Sequence, residues 1–198
     1  MTAHSAMHPG DFPAPRRAAA ARLGMWVFIG SEVLFFGGLM LAYLYGRTHW
    51  PHGFALASRR TDVVLGTLNT ALLLTSSAVI ALAVHKRQAI TPLLWITVAL
   101  GAAFLVVKGM EYHHEFTEHL FPGDGFALAA TTGAELFFML YFVTTALHAL
   151  HLLAGMGGVS VLAWRRLRCI EPMALYWHFV DVVWIFLYPL LYLVERHS

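Results

Sequence analysis

His178 and Asp181 stand near the middle of an apolar run, Met173-Ala-Leu-Tyr-Trp-His-Phe-Val-Asp-Val-Val-Trp-Ile-Phe-Leu-Tyr188. Ionisable groups at that depth in a bilayer are costly unless they are buried in protein and paired, so their presence marks a site of chemistry or of fastening. Their three-residue spacing puts them on one helix face, one turn apart. It predicts a His178–Asp181 pair, and Asp181→Ala is expected to strip His178 of its partner and impair assembly more than turnover. Trp177, Asp181, Trp184 and Tyr188 fall on one stripe, which predicts a packing face rather than a lipid face.

His148 and His151 repeat the spacing one segment earlier, with Phe137, Tyr141, Thr144, Gly155 and Gly158 along the same face. Histidines amid aromatics point into protein. His148 and His178 fall at similar depths, roughly 8 to 10 Å from the cytoplasmic boundary by helical rise, which permits bis-histidine haem ligation. The engagement of His178 with Asp181, and the surrounding aromatic rings, favour histidines bonded to neighbouring helices instead. Glu32 lies roughly 14 Å into the first apolar segment. It has three readings: a protonated carboxyl bonded to another helix, a charged group paired with a histidine, or a member of a proton relay. Lys108 and Glu111 form an i, i+3 ion pair expected at the external boundary.

His113-His114-Glu115-Phe-Thr-Glu118-His119 is the most tempting metal signal. The position four after His114 is Glu118 where a zincin needs histidine, so that mechanism has no support. A metal held by His114, Glu118 and His119 competes with a solvated, acidic, His-rich loop, and the loop is the favoured reading. No Ser or Cys stands beside a recognisable base and orienter, and no phosphate-binding glycine loop occurs. The single cysteine, Cys169, excludes an internal disulfide and a thiolate-cluster metal site.

The elements that must position these groups follow from composition. With 198 residues, 59% hydrophobic and 12% charged, and a mean hydropathy of +0.65, the chain is an all-α polytopic membrane protein. A net charge of +2 is too slight to argue for nucleic acid. Five apolar segments, at approximately 23–46, 62–85, 92–112, 133–163 and 172–194, are each able to span about 30 Å of hydrocarbon as transmembrane helices. They form a single domain over 22–198. Residues 1–21, polar and carrying Pro9, Pro13 and Pro15, read as a disordered cytoplasmic tail and not a signal peptide.

With a cytoplasmic N-terminus, that side receives Arg16, Arg17, Arg22, Lys86, Arg87, Arg165, Arg166 and Arg168, and the other receives Arg47, Arg59, Arg60 and Arg196. The asymmetry favours N-in and a periplasmic C-terminus. Gly24, Ser31, Gly38 and Ala42 form a small-residue stripe that lets another helix approach, and Gly66, Asn69, Ser76 and Ala83 form a second. Trp50 is expected as an interfacial anchor, and Glu135 as an interfacial group satisfied by water. The fourth segment is over-long, and Gly155, Gly157 and Gly158 are candidates for a bend. No internal repeat is apparent, which weakens a secondary-transporter reading.

Four blocks, Leu23-Gly-Met-Trp-Val-Phe-Ile-Gly-Ser-Glu-Val-Leu-Phe-Phe36, Lys108-Gly-Met-Glu-Tyr112, Phe137 to His151, and Tyr176-Trp-His-Phe-Val-Asp-Val-Val-Trp-Ile-Phe-Leu-Tyr188, occur in the order in which they stand in subunit III of the haem-copper respiratory oxidases. The chain resembles that family from about residue 22 onward, in its five-helix form. The resemblance implies a subunit that catalyses nothing and binds neither haem nor copper, with both expected in partner subunits. It packs beside the catalytic subunit I, with subunit II and a small subunit IV as further partners. It is expected to hold phospholipid and to support proton uptake for an oxygen-reducing, proton-pumping complex of a bacterial inner membrane. The family's buried carboxyl maps onto Glu32, its paired histidines onto His148 and His151, and its Trp-His-Phe-Val-Asp block onto Trp177, His178 and Asp181. Glu135-Leu136 and Ala149 depart from the usual family residues. A subunit-III-like partner of a nitric oxide reductase shares much of the pattern. An independent proton or ion transporter and a haem-binding electron carrier are the rivals from other classes.

Overall fold

The computed structural model describes residues 14–86, 90–167 and 170–193, with side chains from residue 19. Arg87, Arg168, Cys169, Arg196 and the first 13 residues of the expected tail lie outside the described residues. Six α-helices follow one another: α1 (Ala14–His49), α2 (Pro51–Ser58), α3 (Val63–His85), α4 (Ile90–Thr117), α5 (Ala134–Trp164) and α6 (Glu171–Tyr188), the last continued by a π-helical turn, Pro189–Leu193. Five spans are long and apolar enough to cross a membrane, Ala19–His49, Val63–His85, Ile90–Thr117, Ala134–Trp164 and Glu171–Leu193. The expected segments are each found. α1 starts earlier than expected because the run of alanines and arginines from Ala14 to Arg22 favours helix, so 14–21 are helical and not an irregular tail.

Local chemistry explains the element ends. Asp62 caps α3, its carboxylate accepting from the backbone N–H of Val64 at 2.8 Å and Leu65 at 3.2 Å. Pro51 and Pro172 occupy first-turn positions, where a missing N–H costs nothing. Gly133, at φ +91°, precedes α5 in the left-handed region that glycine adopts without strain. Pro189 cannot donate to the carbonyl one turn back, and the chain beyond it widens into the π turn. Two carbonyls of that turn are met from elsewhere: Tyr43 Oη donates to Leu190 O, and Ser58 Oγ to Leu191 O at 3.2 Å. Unmet carbonyls at membrane depth are costly, so these two bonds permit the irregular turn.

α3, α4, α5 and α6 enclose the core, and α1 lies against α5 and α6 at its edge. Trp177, Trp184, Tyr141, Tyr192, Phe104, Phe137 and Phe138 are fully buried there. α3 and α6 are joined by four polar contacts along their length. Tyr188 and Thr67 hydroxyls meet at 2.6 Å, Trp184 Nε1–H donates to Thr70 Oγ1 at 3.1 Å, Trp177 Nε1–H donates to Ser76 Oγ at 3.0 Å, and Ser77 Oγ meets His178 Nδ1 at 2.7 Å. The expected stripe on α3 is therefore an interhelical seam; Gly66 lets Tyr188 and Tyr192 rings approach to about van der Waals contact. Ser76→Ala leaves the buried Trp177 N–H without an acceptor, and is expected to lower stability in detergent by about 1 to 2 kcal/mol, read as a fall in thermal unfolding temperature.

Three packing expectations need correction. The stripe on α1 admits no close neighbour at Gly24 or Gly38 among the described residues: nothing lies within 4 Å of a Cβ built on either, and Ser31 bonds its own Phe28 carbonyl at 2.6 Å. Helix spacing finds a smooth face but not the helix that covers it. Gly155 and Gly158 serve as close approaches for Tyr176, Trp177 and Met173 within a continuous α5. Trp50 is half-buried against Gly133 and not simply an interfacial anchor.

Candidate functional site

Lys108 and Glu111 of α4 form the centre of the most densely bonded polar cluster, and they lie inside the protein and not at an exposed boundary. Their ion pair measures 3.0 Å with side chains 4% and 2% exposed. The ammonium has three N–H groups and all three are used: one to Glu111 Oε2 at 3.0 Å, one to Tyr141 Oη of α5 at 2.7 Å, one to Tyr192 Oη of the π turn at 2.7 Å. Both phenols in turn donate to Glu111 Oε1, Tyr141 at 2.9 Å and Tyr192 at 2.7 Å. The ring of Tyr141 lies 4.5 Å from the ammonium, adding a cation–π contact. Buried charges persist when paired and fully bonded, and this knot meets that condition while tying three elements together.

Tyr192 reaches the knot because of the π turn. Eight residues of regular α-helix beyond Trp184 would rotate it about 80° off that face. The wider turn returns Tyr192 to the side of Trp184 and Tyr188, whose rings lie 6.4 and 5.5 Å from its own.

Glu32 of α1 meets His151 of α5 at 3.1 Å, with side chains 18% and 19% exposed. His151 Nδ1 lies 2.8 Å from the Leu147 carbonyl, which can only accept, so Nδ1 carries a hydrogen. The contact between Nε2 and the carboxyl then contains one proton, held by the ring as an ion pair or by the carboxyl as a neutral pair. The contact brings Glu32 to a histidine of another helix, a geometry that serves both the protonated-carboxyl reading and the charged-pair reading. Glu32→Gln is expected to keep α1 docked, because the amide can donate to a neutral Nε2. Glu32→Ala is expected to lose about 1 kcal/mol, measured by thermal unfolding of the two variants side by side.

The His178–Asp181 pair is not formed. His178, half-buried, is bonded to Ser77 across the α3–α6 seam, while neither oxygen of the buried Asp181 has a hydrogen-bond partner among the described residues. One helical turn allows two side chains to meet but does not oblige them, and here the ring turns to α3. Asp181→Ala therefore does not strip His178 of a partner; Ser77→Ala does.

His148 is buried with neither ring nitrogen bonded among the described residues, its ring 5.7 Å from that of Phe104 and 5.1 Å from that of Trp184. The Asn69 side chain is also buried and without a hydrogen bond among the described residues, so it is a member of the α3 seam by position only. His148 and His178 belong to separate surroundings. In the zincin-like stretch, His114 and Glu118 pair at 3.3 Å in an exposed position. Among the described residues no group of three or more His, Cys, Asp or Glu side chains is arranged to hold a metal ion. Glu135 is exposed.

Sequence reasoning missed Ser77, Tyr192 and the burial of Glu115. Tyr192 could have been sought as a tyrosine near the end of an apolar run at a depth matching Lys108. Ser77 carries no signal beyond its place beside Ser76.

The family model described as cytochrome c oxidase subunit III matches residues 10–195. The chain is 33% identical over 192 residues to the cytochrome c oxidase subunit 3 of Thermostichus vulcanus, covering 88% of this chain and 87% of that one. It is 32% identical to the protein of the same name in Alkalihalophilus pseudofirmus, covering 87% and 85%. A protein of Aeropyrum pernix named heme-copper oxidase subunit I+III is 30% identical, with 87% of this chain matching 22% of that much longer one.

Proposed function

Because this chain belongs to the cytochrome c oxidase subunit III family, we propose that it is the non-catalytic subunit III of an oxygen-reducing, proton-pumping terminal oxidase. In this reading it packs beside the catalytic subunit I, near subunit II and a small subunit IV, and stabilises that assembly. Haem and copper belong to the partners. The membrane is a bacterial inner membrane, with the N-terminus of α1 on the cytoplasmic side. The relative from Aeropyrum pernix, whose name joins subunits I and III in one chain, supports the pairing with subunit I.

One observation carries the proposal: five ionisable residues within the spans, Lys108, Glu111, Glu32, His151 and His178, bond across to other elements of the bundle. Lys108 and Glu111 engage Tyr141 and Tyr192, Glu32 engages His151, and His178 engages Ser77. Groups spent in this way hold helices together, which is what a scaffold subunit requires. The apolar side chains of α1 that point outward, Trp26, Val27, Leu34 and Leu41 among them, offer a surface for phospholipid or for a partner helix. The one-proton contact between Glu32 and His151 is the group best suited to support proton uptake.

Affinity purification of the tagged chain from native membranes tests the proposal. Recovery with a large haem-containing subunit is the expected result. Ion or solute flux through the isolated chain in vesicles, or a haem Soret band from the chain alone, would overturn it.

A further inference from the structure

We propose that Glu115, one turn beyond the Lys108 knot on α4, is a proton-binding site that exchanges its proton with the nearby membrane surface through Glu118. This goes beyond the scaffold role and does not depend on it. Glu115 is 2% exposed, and neither carboxyl oxygen has a hydrogen-bond partner among the described residues. Among the described residues, the titratable groups that interact with it electrostatically are Lys108, Glu111 and Tyr112 on its own helix, Glu118 just past the helix end, Tyr141 on α5, and Tyr192 on the π turn.

Donor accounting leads to the proton. The three N–H groups of Lys108 go to Glu111, Tyr141 and Tyr192, and both phenol hydrogens go to Glu111 Oε1. No donor of the knot is left for Glu115. Its single nearby cation is matched by Glu111, so an ionised Glu115 would be an unpaired charge inside an apolar bundle, which costs several kcal/mol. A protonated carboxyl has no such deficit. It carries the hydrogen that the knot does not supply, and it places no uncompensated charge beside Glu111.

The exchange route is short. Glu118 follows Glu115 by three residues, on the same side of the helix end. It is half-buried and paired with the exposed His114 at 3.3 Å. In release, the proton passes from the Glu115 carboxyl to the Glu118 carboxylate and then to water, leaving Glu115 as a carboxylate; loading is the reverse. Nothing else in the knot changes protonation.

Infrared difference spectroscopy of the purified complex containing the chain tests this. At neutral pH, Glu115→Gln is expected to remove a carbonyl stretch of a protonated carboxylic acid, one that shifts in D2O in the parent protein. Glu118→Gln, a shape-preserving change at a half-buried side chain, is expected to keep the band but slow its D2O shift several-fold. Loss of an ionised carboxylate stretch in Glu115→Gln, or no carboxyl change at all, would overturn the site. Failure of Glu115→Gln to assemble also counts against it, because a neutral amide of the same shape replaces a neutral acid. An unchanged exchange rate in Glu118→Gln would overturn the route.

Discussion

Lys108→Met is expected to destabilise the subunit by about 3 to 5 kcal/mol, the range for breaking one side of a buried ion pair. Methionine has a similar unbranched shape, so the space is filled and the loss is chemical. Glu111 keeps two phenol donors but loses its counter-charge, and Tyr141 and Tyr192 each lose the ammonium that their oxygens accept from. Because the knot joins α4, α5 and the π turn, the damage spreads through the bundle. Tyr141→Phe and Tyr192→Phe each remove hydrogen bonds to charged groups and leave the pair standing, so each is expected to cost about 1.5 to 3 kcal/mol. The double variant Lys108→Met with Glu111→Leu is expected to cost less than Lys108→Met alone, because it leaves no orphaned carboxylate. Thermal unfolding of the purified complex, with subunit yield as a second reading, checks the order.

Gly133→Ala is expected to cost about 2 to 5 kcal/mol. One part is the left-handed backbone at φ +91°, which any L side chain resists by about 1 to 2 kcal/mol. The other is collision: the added Cβ would sit 2.4 Å from Trp50 Cβ, and overpacking of that kind costs about 1 to 3 kcal/mol. Gly53→Ala tests the same junction from α2, where the new Cβ would lie 2.2 Å from the Thr132 carbonyl oxygen. Backbone stands on both sides there, so no rotamer change relieves it. Two controls separate the causes. Gly123→Ala has a positive φ of +134° with nothing within 4 Å, and is expected to show strain alone; Gly157→Ala has ordinary helical geometry and open space, and is expected to be neutral or slightly stabilising. Thermal unfolding temperatures of the four variants give the comparison.

Both predictions concern contacts that join elements far apart in sequence, which is where sequence reasoning was weakest. The helical spans were legible because length and apolarity suffice to define them. The short helix α2 was not, since eight residues beginning at a proline carry little periodic signal. Lys108 with Glu111, and the seam residues Ser76 and Trp177, were legible as candidates from depth and spacing. Their partners on other helices lay 30 to 101 residues away. His178 shows the limit sharply: its neighbour three residues on was the natural partner on paper, and Ser77 of another helix took the bond.

The amino-acid order alone determined that this chain makes membrane-length helices, and which polar groups lie at membrane depth, because both follow from composition and rise per residue. Tertiary structure alone decided which of those groups another helix answers, as it does for Lys108 and His178, and which stay buried without a bond among the described residues, as Asp181 and His148 do. A helix fixes the direction of a side chain to within a face, whereas a hydrogen bond needs its partner within about 3 Å. That last distance is set by how the helices dock, by glycines that admit a neighbour, and by the π turn that brings Tyr192 under Trp184.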